Sequence, residues 1–152
     1  NVTPVNKAIG DRCTTVPFFI REHTAVGASL FPTHCPNEFT VPVECITIDA
    51  FLAGKPVDVV KMDIEGGEPY ALEGMKKTLS ESREIVLFVE YAPDLLHRAG
   101  VKAEDFLAQL DKAGFECQLI NEELRCLQPI KPDVTLARGY CNLYCIKGAT
   151  TE

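Results

Sequence analysis

The sequence predicts an α/β fold with a mostly parallel sheet and an antiparallel last strand. Strand and helix patterns alternate from Val57 to Ile120, the rhythm of right-handed βαβ units. Ile85 to Val89 is apolar without alternation, which predicts a parallel strand covered on both faces. Two strand patterns then follow one another, Phe115 to Ile120 and Tyr140 to Ile146, with no helical pattern between them. A last strand without a crossover helix is expected to run antiparallel.

Taken in order, Val2 to Ile9 predicts a first strand, ended by Gly10 and Asp11. Residues 12–42 are mixed: Phe18 to Ile20 predicts a short strand, and Pro32, Pro36 and Pro42 predict that much of the stretch is loop. Val43 to Ile46 is a further strand. Thr47 caps a brief helix from Ile48 to Ala53, closed by Gly54. Val57 to Met62 is a strand, and Pro69 to Leu79 a helix with Ala71, Leu72, Met75 and Leu79 on one side. Leu95 to Ala99 predicts a helical turn. Ala103 to Ala113 predicts a helix with Phe106, Leu107, Leu110 and Ala113 inward and Gly114 as its stop. Residues 121–139 read as a polar, proline-bearing connection.

The 152 residues predict one domain, large enough to bury a core. A net charge of -7 argues against nucleic acid as a partner, because phosphate binding needs a basic surface. No apolar run reaches the length of a membrane span. The chain does not begin with Met and carries no recognisable signal peptide, as expected of a fragment or a processed product. Seven cysteines cannot all pair within one chain, and no Cys-x-x-Cys occurs. Cys141 and Cys145 face the same way on a strand, about 13 Å apart, too far to bridge. Buried thiols in a reducing compartment, and hence a cytoplasmic location, are expected. His23, His34 and Cys35 match no closed zinc spacing, so no metal site is predicted.

Residues 57–68 carry the chemistry. A β-branched run ends in Lys61-Met62-Asp63-Ile64-Glu65-Gly66-Gly67-Glu68, and a helix opens at Pro69. In open α/β sheets ligands sit beyond the carboxyl ends of strands. Alternation puts Lys61, Asp63 and Glu65 on one side and Met62 and Ile64 on the other. The bland reading is a charged turn with Lys61 paired to Asp63. Glu68 fits a helix start, where negative charge is favourable. Glu90 closes an apolar strand and needs a partner such as Lys61, Arg98 or a ligand. His97 is expected on the next loop.

Three stretches resemble the FkbM-type methyltransferases, Rossmann-like enzymes that use S-adenosylmethionine. They are Asn6 to Asp11, Val43 to Leu52, and Asp58 to Glu68 with the Leu72-Glu73-Gly74 that follows. The resemblance covers about residues 1–120 and starts at the family's third strand. It implies a Rossmann-like class I methyltransferase fold that is incomplete, its first two strands and glycine-rich cofactor loop having no counterpart. With those strands absent, Val2 to Ile9 would have no neighbour, and an exposed sheet edge invites pairing, including a homo-oligomer.

The resemblance further implies O-methylation of a small-molecule or sugar hydroxyl. Such an in-line displacement needs alignment, a dry pocket and help for the hydroxyl proton. Asp63, at the cleft floor, is the first candidate catalytic and cofactor-binding group. Glu90 and His97 are further candidate catalytic groups, and Glu65 and Glu68 are placed with the substrate. Asn6 and Ala8 resemble positions beside the adenine ring, and Ser29 is within reach of the cofactor. A divalent cation held by Asp63 and Glu90 would lack enough oxygen ligands. The rival reading is a truncated, non-catalytic α/β module used in assembly or binding. A nucleotide-dependent oxidoreductase stands further off, because no phosphate-cradling glycine loop occurs.

Overall fold

The computed structural model describes residues 1–22, 24–131 and 139–148, with the backbone alone at 24–26. His23 therefore lies outside the described residues. The first third of the chain forms strands β1 (Ala8–Ile9), β2 (Thr14–Arg21), β3 (Thr24–Ser29) and β4 (Glu38–Ile46). They make one sheet in the order β1-β4-β2-β3. β2 and β4 run antiparallel from Thr14 opposite Cys45 to Arg21 opposite Glu38. This corrects the expected loop. Proline breaks a strand only where its missing N–H is needed. Pro17 stands directly opposite Pro42, β1 meets β4 only at Cys45 and Ile46, and β3 meets β2 only between Phe19 and Arg21. Among the described residues no third strand flanks the proline rung.

The predicted first strand shrinks to Ala8–Ile9, which pairs parallel with Cys45 and Ile46. Residues 2–7 are exposed and form no ladder. The sheet that the topology seemed to deny this segment is supplied by β4.

The second part carries α1 (Ile48–Leu52), β5 (Val59–Met62), α2 (Glu68–Glu73), α3 (Lys76–Glu81) and β6 (Ile85–Tyr91). There follow α4 (Pro93–Arg98), α5 (Ala103–Lys112), β7 (Glu116–Asn121), β8 (Cys126–Pro129) and β9 (Cys141–Lys147). The five strands lie in the order β5-β6-β9-β7-β8. β9 runs antiparallel to both β6 and β7, as its sequence position predicts. β5 and β6 pair parallel, but every other pairing in this sheet is antiparallel. The fold is mixed α/β with two mixed sheets, and the mostly parallel sheet is corrected. Inserting β9 between β6 and β7 separates strands that run the same way. β8 is a second correction: the polar connection after β7 folds back on it from Gln118 opposite Pro129 to Asn121 opposite Cys126.

The core lies on one face of this sheet. Met62, Leu87, Val89, Leu119, Leu143 and Cys145 meet Ala71, Leu72, Met75, Leu96, Phe106 and Leu110 from the helices. Burial along β6 alternates strictly, so the strand expected to be covered on both faces is covered fully on one. Full burial of Phe106 and Leu110 contributes about 1.5–3 kcal/mol each. No helix among the described residues is long and apolar enough to cross a membrane.

The helix expected over Pro69 to Leu79 is broken at Gly74 and Met75. The carbonyl of Gly74 accepts the N–H of Asp49 (3.0 Å), and the Asp49 carboxylate takes the N–H groups of Lys77 (3.0 Å) and Thr78 (2.7 Å). These are donors that the first turn of α3 leaves unpaired. Asp49 thus caps α3 from another helix. Thr47 caps its own helix as predicted, with its Oγ1 accepting the Ala50 N–H at 3.0 Å.

Candidate functional site

The acidic loop leaves the carboxyl end of β5. Lys61 stands opposite Phe88 and Met62 opposite Val89 in a parallel register. Alternation carries this on to Asp63 beside Glu90, on the face away from the core. Asp63 is more than half exposed and receives a hydrogen bond from Lys61 Nζ at 3.3 Å.

Glu65 follows with φ at +57°, a left-handed backbone that a non-glycine residue holds only under tertiary constraint. Two constraints are visible. The buried hydroxyl of Ser29 donates to the Glu65 carbonyl at 2.9 Å. Gly66 lies so close to α4 that a Cβ there would stand 2.6 Å from the Leu95 carbonyl oxygen. Glu68, only 2% exposed, reaches back, and its Oε1 accepts the Ile64 N–H at 2.8 Å. Burial raises its pKa; backbone N–H groups oppose that rise, and the charge of Asp63 adds to it. Glu68 braces the loop.

The small sheet closes on the same loop. A Cβ at Gly27 would stand 3.1 Å from Arg21 Nη2 and 3.9 Å from Glu65 Oε2. The Nε of Arg21 is buried with no hydrogen-bond partner among the described residues.

Glu90 collects the effect of this crowding. Burial, and then the charges of Asp63, Glu65 and Glu68, push its pKa from 4.5 up to about 7, against a small opposing pull from Lys61. The expected pairing with Lys61 is therefore outweighed by three carboxylates. Below pH 4.5 both folded and unfolded chains hold the Glu90 proton. Between 4.5 and 7 only the folded chain does, so stability falls as pH rises and stays low above 7. Discounted for its partial solvent exposure, the loss is about 1–2 kcal/mol. Glu90→Gln should remove it: urea midpoints of the variant and the native chain should match at pH 4 and diverge in favour of the variant by pH 8. Equal midpoints at pH 8 would dismiss the electrostatic crowding.

Other predicted positions fall elsewhere. His97 is exposed in the last turn of α4 and not on a loop. It sits about 200° round the helix from Leu95, which faces the acidic loop. Ala8 lies in β1 of the small sheet, and Asn6 is exposed in the unpaired segment just before it. Ser29 spends its hydroxyl on Glu65 and on the Phe31 N–H. Asp63 is more than half exposed at the end of β5, which is an edge strand of its sheet among the described residues. A hollow of 380 Å³, whose walls include Leu72, Lys76, Lys112 and Lys147, is lined by none of the predicted site residues. No three His, Cys, Asp or Glu side chains among the described residues are grouped to hold a metal.

Sequence reasoning missed Asp49 and Arg21. Asp49 had a signal, since Asp beside a capping Thr can serve a neighbouring helix end. Burial works against its charge, but the Thr78 and Lys77 N–H groups and the Thr78 hydroxyl outweigh it and hold the carboxyl below the usual range. Arg21 had no local signal, because its neighbours across the sheet, Glu38 on β4 and Gly27 on β3, are set by strand pairing.

One family description fits the chain, that of the methyltransferase FkbM domain, over residues 3–117. The matched stretch contains the small sheet, the acidic loop, Glu90 and His97. No curated protein and no solved structure matches it.

Proposed function

Since this chain belongs to the FkbM methyltransferase family, we propose that it serves transfer of a methyl group from S-adenosylmethionine to a hydroxyl of a small molecule or sugar. One feature carries the reading: within the matched stretch, Glu90 is partly buried at the end of β6 among Asp63, Glu65 and Glu68, and burial, with those charges added, raises its pKa to about 7. A base with that pKa is suited to take a proton from a hydroxyl at neutral pH. The same excess of negative charge favours a cationic ligand. The cofactor carries a sulfonium and an ammonium, and it supplies the electrophilic methyl group when bound. Asp63 and Glu65 are the residues that would face its cationic part.

In this reading the chain is a single, partial domain of Rossmann-like class I type, from the third strand onward. Glu68 fixes the loop, Ser29 sets the backbone of Glu65, and the small sheet forms a wall beside the tip. His97 has no part in it. The openness of the tip beside β5 favours the rival, a non-catalytic α/β module.

Calorimetric titration of the chain with S-adenosylmethionine separates the two. A saturable heat with one site supports the enzyme, and no heat up to millimolar cofactor supports the module. In the active enzyme, Asp63→Ala should cut turnover steeply while leaving the thermal midpoint within about 2 °C, because an exposed carboxylate contributes little to stability. Unchanged turnover would take Asp63 out of the chemistry.

A further inference from the structure

Cys117 of β7 stands directly opposite Cys145 of β9. Opposed residues of an antiparallel pair have Cα atoms about 4.5–5.5 Å apart, inside the range of about 4.4–6.8 Å that a disulfide spans. Both side chains pack against the core, Cys145 fully buried and Cys117 half-buried, and the shared rung puts them on the same face of the sheet. Cys117 is partly exposed while Cys145 is buried, so a small oxidant can reach one sulfur of the pair. Both cysteines are unbridged in the structure.

We propose that Cys117 and Cys145 are a redox clasp, a dithiol that closes to a cross-strand disulfide under peroxide and reopens with thiol reductants. The chemistry balances. The Cys117 sulfur attacks hydrogen peroxide, breaking the O–O bond and giving a sulfenic acid and one water. The Cys145 sulfur then attacks that sulfenic sulfur, forming the S–S bond and releasing a second water. Peroxide is reduced by two electrons, and the two thiols are oxidised by two. The facing thiols favour this order: interaction with Cys145 lowers the pKa of Cys117, while interaction with Cys117 and burial raise that of Cys145. Of the two, Cys117 is thus the better nucleophile. The closed clasp would fasten β7 to β9, whose Asn142 stands opposite Glu90.

The exposed Cys13 and Cys126 offer competing reactions between molecules. The test therefore uses the full chain carrying Cys13→Ser and Cys126→Ser, treated with a small excess of hydrogen peroxide and mapped by mass spectrometry without reduction. The expected result is a peptide pair joining Cys117 to Cys145, loss of two free thiols, and their return with dithiothreitol. Amide exchange over Glu116 to Leu119 should slow at least threefold in the oxidised form. Adding Cys117→Ser should abolish both changes. Recovery of Cys117 and Cys145 as free thiols or as separate adducts overturns the proposal, as does a cross-link that leaves exchange unchanged.

Discussion

Glu90→Gln is expected to slow methyl transfer by about 10²–10⁴-fold, the range a positioned general base supplies. The amide keeps the size and the half-buried position of the carboxyl at the end of β6 but cannot accept a full proton. In the native chain kcat/KM should rise with pH through about 7 and then level, because the base must be ionised and its pKa is held there by burial and by Asp63, Glu65 and Glu68. In the variant that limb should vanish. Rates measured from pH 5 to 9 with labelled cofactor decide it, and Glu90→Asp should recover part of the rate with a displaced limb. A variant that keeps the native limb would move the base elsewhere on the tip. The stability gain expected of the same variant above pH 7 guards against reading the lost rate as lost fold.

Gly74→Ala should cost at least about 3 kcal/mol, at the upper end of overpacking penalties. The backbone of Gly74 has φ at -74°, which alanine adopts freely, so the penalty is steric and not conformational. An added Cβ would stand 2.1 Å from the Gly10 carbonyl oxygen and 3.3 Å from Thr47 Cβ. Neither can retreat easily. Gly10 is tied through its N–H to the Ile46 carbonyl at 3.0 Å, and Thr47 caps α1. The Gly74 carbonyl also receives the Asp49 N–H. This joint fastens the small sheet to the helices of the large one. Urea unfolding is the measure, and a loss below 1 kcal/mol would mean that the two parts are coupled elsewhere.

The joint explains much of what could be read in the sequence and what could not. The Thr47-Ile48-Asp49 and Leu72-Glu73-Gly74 stretches stood out with the acidic block, yet their work is mechanical: they cap, accept and make room. Periodicity revealed α5, and a continuous apolar run revealed β6, although the run hid that β6 is fully covered on one face alone. In the small sheet only Phe18 to Ile20 of β2 and Val43 to Ile46 of β4 were legible, and β3 was missed, because burial is weak there and prolines mark a rung with no third strand beside it among the described residues. Periodicity also ran α2 and α3 together, since the break at Gly74 is made by Asp49, twenty-five positions earlier. Charge density located the tip, and local spacing marked Glu68 as a brace. The raised pKa of Glu90 needed the register between β5 and β6, which no local pattern contains. The pairing of Cys117 with Cys145 was hidden for the same reason.

The facing prolines of the small sheet have one more consequence. A ribbon edge polymerises by lending amide hydrogens to a newcomer, and the rung at Pro17 and Pro42 has none to lend. Amyloid-like stacking is thereby interrupted in the middle of the longest antiparallel ladder among the described residues, whatever the surrounding side chains favour.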